Sequence, residues 1–224
     1  MMLVFNLQFF GGRGASSGGD GFTGGGSGIN PNNIVSTKSL IAEVNNQPTE
    51  VDETMTTFKD IYAEYGYIID DVQIATIKGK DGNTMAYYDG SNIAINKTYF
   101  DKAKMESSYE ACVESGFHPS KGNKTALQAV TSHELGHALT DAVSEKMTGV
   151  KGDHAKAILN EAKKSIGYKG NLGSMAGKIS GYAKYNAHEA IAEAFADVYC
   201  NGKKAHKESQ AIVDVMNKYL KGGQ

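Results

Sequence analysis

The sequence predicts an α+β domain: a small mixed sheet near its N-terminal side, then mostly helices. Two observations carry that expectation. Apolar residues recur at helical spacing, give way to strand-like runs, and return to helical spacing for the second half of the chain. A glycine-dense stretch separates this patterned region from a short apolar N-terminus.

Residues 48–66 read as the first helix. Val51, Met55, Phe58, Ile61, Tyr62 and Tyr65 recur at three and four residues, and Gly66 provides a stop. Residues 67–78 are β-rich. Two further strands, 84–88 and 92–100, flank the turn Tyr88-Asp89-Gly90-Ser91, with Ile93 and Ile95 alternating against their neighbours. Helices follow at 101–115, 124–147 and 155–166. Residues 167–181 are looser and punctuated by glycine, and helices at 187–201 and 207–220 close the pattern.

Ahead of all this, residues 11–28 contain ten glycines in eighteen positions. Such a segment buries too little apolar surface to offset its ordering entropy, so it reads as a tether. The expected organisation is an apolar leader peptide at 1–10, a Gly/Ser-rich flexible linker at 11–33 and one folded domain at 34–224. The leader lacks a basic n-region and is interrupted by Asn6 and Gln8, so it is expected to be something other than a signal peptide.

Composition narrows the function. Hydrophobic residues make up 40% and charged residues 21%, ordinary for a globular chain, and the net charge is −2. That balance points away from nucleic acid as a partner. No run approaches the length of a membrane span. Cys112 and Cys200 sit far apart, which permits one disulfide but reads more simply as two ordinary thiols.

The chemistry lies in Thr131-Ser132-His133-Glu134-Leu135-Gly136-His137. On a helix, i and i+4 stack on one face, so His133 and His137 can offer ring nitrogens to one ion. Zinc in a hydrolytic site accepts two imidazoles and a carboxylate and keeps its fourth position for water. Glu134, beside the first histidine, is then placed as general base. Leu127, Val130, Leu135, Ala138, Leu139, Ala142 and Val143 give this helix a buried face.

The third ligand is expected on another element. Glu189, Glu193 and Asp197 recur every four residues along an otherwise apolar helix, a repulsive stripe unless a cation or donors neutralise it. One glutamate can bind metal while the next accepts the other N–H of a ligating histidine. Asn186 is a good N-cap, which puts Glu189 at the reciprocal capping-box position. On that reading Glu193 takes the metal, and spacing alone leaves both assignments open. His188 is expected to point elsewhere on the helix and to be exposed. His118, His154 and His206 have no spacing argument.

HELGH followed by a GY…N-x-x-E-x-x-x-E-A-F run resembles the catalytic domain of anthrax lethal factor and related zinc peptidases. The resemblance runs over residues 126–197 and rests on His133, Glu134, Gly136, His137, Tyr182, Asn186, Glu189, Glu193, Ala194 and Phe195. It implies a zincin-like fold and a zinc-dependent endopeptidase acting on a protein or peptide. It also implies that Glu189 is the third zinc ligand, that Glu193 supports the site, and that Tyr182, rather than nearby Tyr185, stabilises the oxyanion. Peptidases of this type hold substrate extended along a sheet edge. A second resemblance is confined to NLQFFGGRGASSG, which is similar to a leader and linker of phage minor head proteins. It implies a phage or prophage product, located in the virion or the host cytoplasm, whose residues 1–10 dock onto capsid or portal proteins. A regulatory peptidase that cleaves a repressor in the host would share the chemistry. The contrasting reading is a non-enzymatic phage structural or interaction protein with a structural zinc site, for which a closed set of four ligands would be needed.

Overall fold

The computed structural model describes residues 21–22, 29–66, 69–148 and 154–222. The leader at 1–10 and most of the tether lie outside them. The end of the tether does not: Pro31–Asn33 form a 3-10 turn capped by Asn30. The Asp81 carboxylate ties that turn down, accepting from Asn30 N at 3.0 Å and from Asn33 Nδ2 at 2.7 Å. Phe22 also packs against the main core.

The sheet has four strands in the order β1 (Ile34–Ser39), β2 (Asp71–Ile77), β4 (Asn92–Asn96), β3 (Ala86–Tyr88). β1 and β3 run antiparallel to their neighbours while β2 and β4 are parallel, so the sheet is small and mixed, as expected. Alternation assigns its faces. Val72, Ile74, Ala86, Tyr88, Ile93 and Ile95 join the helical core, whereas Ala75, Ile77, Tyr87 and Ala94 form a second cluster covered by Ile29 and Ile34.

The described residues form seven α-helices: α1 (Pro48–Tyr65), α2 (Lys102–Glu114), α3 (Ala126–Thr148), α4 (Ala155–Ser165), α5 (Leu172–Ala176), α6 (Ala187–Asn201) and α7 (Lys207–Leu220). Their ends follow local chemistry. α1 starts on a proline and stops where Gly66 turns left-handed, with φ 61°. Asp101 caps α2 by accepting from Lys104 N at 2.8 Å. α3 opens with a reciprocal capping box: Gln128 N donates to Thr125 Oγ1 at 3.3 Å, and Thr125 N donates to Gln128 Oε1 at 3.0 Å. β1 and α5 are two elements that periodicity did not predict. None of the described helices is long and apolar enough to cross a membrane.

α3 runs through the middle of the molecule, against α1, α2, α6, α7 and β3. It is buried on nearly every side, from Leu127 and Val130 to Leu135, Leu139 and Val143. Its contact with α6 depends on Gly136. A Cβ there would lie 3.0 Å from Ala192 Cα and 3.1 Å from Phe195 Cβ, closer than packed carbons ordinarily approach. Gly136→Val is therefore expected to force α3 and α6 apart and to cost about 3 kcal/mol in urea unfolding. A variant as stable as wild type would remove the close-approach argument.

Candidate metal centre

α3 supplies His133 and His137 one turn apart, and the close contact at Gly136 brings α6 near enough for Glu189 to reach both. The Glu189 Oε2 atom lies 3.2 Å from His133 Nε2 and 3.4 Å from His137 Nε2, and the two Nε2 atoms are 3.2 Å apart. These three buried groups offer converging ligand atoms suited to a metal ion. The fit can be tested on the triangle itself. A tetrahedral ion with donors at about 2.0–2.2 Å requires donor–donor separations of roughly 3.3–3.6 Å. The observed edges fall at or just under that range. One carboxylate oxygen accepts from both ring nitrogens only if each carries a proton on the nitrogen facing the other, whereas one shared cation satisfies all three with both rings neutral.

The capping question is answered by the same geometry. The Asn186 side chain does cap α6, accepting from Glu189 N at 2.9 Å. The Glu189 carboxylate does not turn back to complete the box; its Oε2 lies against the histidines. Glu193, one turn on, sits behind them. Its Oε1 is 2.9 Å from His133 Nδ1 and 3.0 Å from His118 Nδ1, and its Oε2 accepts from Ser180 Oγ at 2.7 Å. This is the arrangement that fixes a ligating histidine with Nε2 toward the ion and Nδ1–H toward a carboxylate. Asp197, the third acid of the stripe, does something else. It accepts from Asn201 Nδ2, His206 N and His206 Nδ1, joining the end of α6 to the start of α7.

Glu134 is fully buried, and its oxygens make no hydrogen bond of ordinary geometry. Burial pushes its carboxyl up to about 8, against the pull of His133 and the backbone N–H of Tyr88. Glu189 is held well below the usual carboxylate range: burial opposes this, but the His137 charge and the His133 hydrogen bond outweigh it. Glu193 behaves alike, at about 2, with His118 the largest influence against burial. Burial would lower His133, yet Glu189 and Glu193 hold it up at about 10, while His137 is lowered by burial.

Tyr182 is buried with its ring centroid 6.0 Å from that of His133. Burial, with Glu189 beside it, pushes the phenol well above its ordinary value, so it stays a donor. Tyr185 is only partly buried, and its ring lies tilted against that of Tyr182 at 5.2 Å. Two histidines differ from expectation. His188 is buried, not exposed, and close enough to His137 to disfavour its protonation, because α6 is enclosed on almost every side. His118, which had no spacing signal, reaches the site from the loop after α2. Cys112 and Cys200 are both free thiols.

Set against protein-family models, curated proteins and solved structures, the chain finds no match in any of the three.

If Glu189 completes the donor triangle and Glu193 only supports it, Glu189→Ala strips bound divalent metal far more than Glu193→Ala does. Metal content after dialysis measures this, and the reverse order would return the ligand role to Glu193.

Proposed function

We propose that the chain is a zinc-dependent endopeptidase, with a zincin-like fold, that hydrolyses peptide bonds of a protein substrate. The single observation that carries this reading is the buried His133–His137–Glu189 triangle with the Glu134 carboxylate next to it on the same helix. Three protein donors leave a fourth position for chemistry, and no fourth His, Cys, Asp or Glu joins the group among the described residues. That favours hydrolysis over a purely structural site. A zinc ion held there acts as a Lewis acid on the substrate carbonyl and on water.

The chain's own groups divide the remaining work. Glu134 lies beside the donor triangle with burial raising its carboxyl; a bound cation would favour its ionised form, which then takes a proton from the attacking water. As the C–N bond breaks, the same carboxyl hands that proton to the leaving amine. Tyr182 keeps its proton and donates to the carbonyl oxygen as charge develops on it.

A peptide substrate is supported by β3, a sheet edge that α3 packs against. Asn96 N donates to Met85 O and Asp89 N to Asn92 O, so 85, 87 and 89 face β4 and 86 and 88 face outward. The outward N–H of Tyr88 is the one that acts on Glu134. An extended peptide added to this edge would run past the general base. A phage origin, with residues 1–10 addressing the protein to capsid or portal proteins, belongs to the same proposal. It is read out by comparing virion binding with and without that segment.

Glu134→Gln is expected to retain about one zinc and lose about 10²–10⁴-fold in kcat, measured as new N-termini in treated host lysate. Full activity in that variant would refute the general-base assignment. Tyr182→Phe should keep KM and metal while kcat falls about 10²-fold; an unchanged kcat would remove Tyr182 from the reaction.

A further inference from the structure

The metal centre has a component that its motif does not contain. His118 leaves the loop between α2 and α3, outside both metal-bearing helices, and its side chain is fully buried. Its ring stacks on Tyr109 at 5.4 Å with 6° between planes and meets the Tyr182 ring edge-on at 5.5 Å. Tyr109 is itself anchored, donating its hydroxyl to Pro119 O at 3.1 Å. The backbone around His118 is joined to the segment that carries Tyr182: Gly181 N donates to Gly116 O at 2.8 Å, and Tyr182 N to Phe117 O at 3.0 Å. A histidine held this rigidly has its Nδ1 aimed at one atom, Glu193 Oε1, at 3.0 Å.

We infer that His118 is a positioning residue for the metal centre, orienting the Glu193 carboxylate that in turn orients His133. This rests on the metal-centre reading above. The Glu193 carboxylate is met from three elements: α3 through His133, the Tyr182 segment through Ser180, and the loop after α2 through His118. Two of these contacts share Oε1. With His118 absent, only Ser180 on Oε2 and His133 itself remain, so the carboxylate can swing about the Ser180 bond. It then no longer dictates which way the His133 ring faces. Ser180 Oγ also accepts from Ala183 N at 3.0 Å, so Glu193 is the point where His133 and the Tyr182 segment are held in common.

The competing explanation is that His118 is an aromatic filler, and two substitutions separate them. His118→Phe keeps the ring stack and loses the donor. His118→Asn loses the stack but carries an amide nitrogen in the place of Nδ1. For a positioning residue, Phe weakens Co²⁺ or Zn²⁺ binding about tenfold or more and shifts the visible bands of the Co²⁺ form, while Asn stays within about threefold of wild type. For a filler the order reverses. In a Glu193→Gln background the Phe substitution loses its effect if His118 acts through Glu193, and keeps it otherwise. Should the Phe variant not fold, His118→Gln serves the same contrast, since its amide reaches the Nε2 place instead. If wild type binds neither ion, the metal-centre reading itself fails. If wild type binds and His118→Phe binds equally tightly with an unchanged Co²⁺ spectrum, the inference about His118 alone is overturned.

Discussion

The approach of α3 to α6 is the constraint on which the rest depends. Glutamate side chains are short relative to the width of a helix pair, and Glu189 meets two imidazoles across the helix–helix interface only because little stands between the backbones. Gly136 on one side and Ala192 on the other provide that room. A helix-interior glycine costs about 1 kcal/mol relative to alanine in backbone terms, so its presence is a loss accepted for proximity. The surrounding core makes the loss tolerable: Leu135, Leu139, Ala190, Ile191 and Ala194 are all buried about this contact.

That proximity creates an electrostatic problem. Glu134, Glu189 and Glu193 are all buried, and no lysine or arginine is buried among the described residues. Uncompensated carboxylates in such a place cost several kcal/mol each. The compensation comes from imidazoles and from whatever cation the donor triangle holds. His133 is raised while its neighbour His137 is lowered, because only His133 touches two carboxylates. Glu134 escapes the problem differently, through a carboxyl raised to about 8. Two kinds of glutamate thus coexist within one site, two held low by imidazoles and one raised by burial. This division is what acid–base hydrolysis requires.

Much of this was legible in the sequence because it is written at helical periods. His133 and His137 at i and i+4, Glu189 and Glu193 likewise, and the cap Asn186 all act within one turn of their own helix, so linear spacing carries their geometry. The mixed sheet was legible through β2, β3 and β4. β1 was not, because four of its six residues are exposed and polar or lone apolar, leaving no alternation to read. α5 was hidden by its length of five residues among glycines. His118 and His188 were illegible for a stricter reason. What they touch is decided by how a loop and a helix are enclosed by other elements, and no local period encodes that.

The choice between a catalytic and a structural metal site turns on where the protein has placed groups that a structural site does not need. Holding an ion for stability asks for donors and their supports, and His133, His137, Glu189 and Glu193 already answer that. Glu134 is buried next to them, with the backbone N–H of Tyr88 acting on it, and holding an ion does not need a carboxylate in that place. Tyr182 is likewise carried on a segment pinned by Gly116, Phe117 and Ser180, which sets its ring beside the histidines. Under the proposed hydrolysis both placements have a use, Glu134 for the water and Tyr182 for the carbonyl oxygen. The edge of β3, whose outward Tyr88 N–H acts on Glu134, is the place that proposal gives to the substrate.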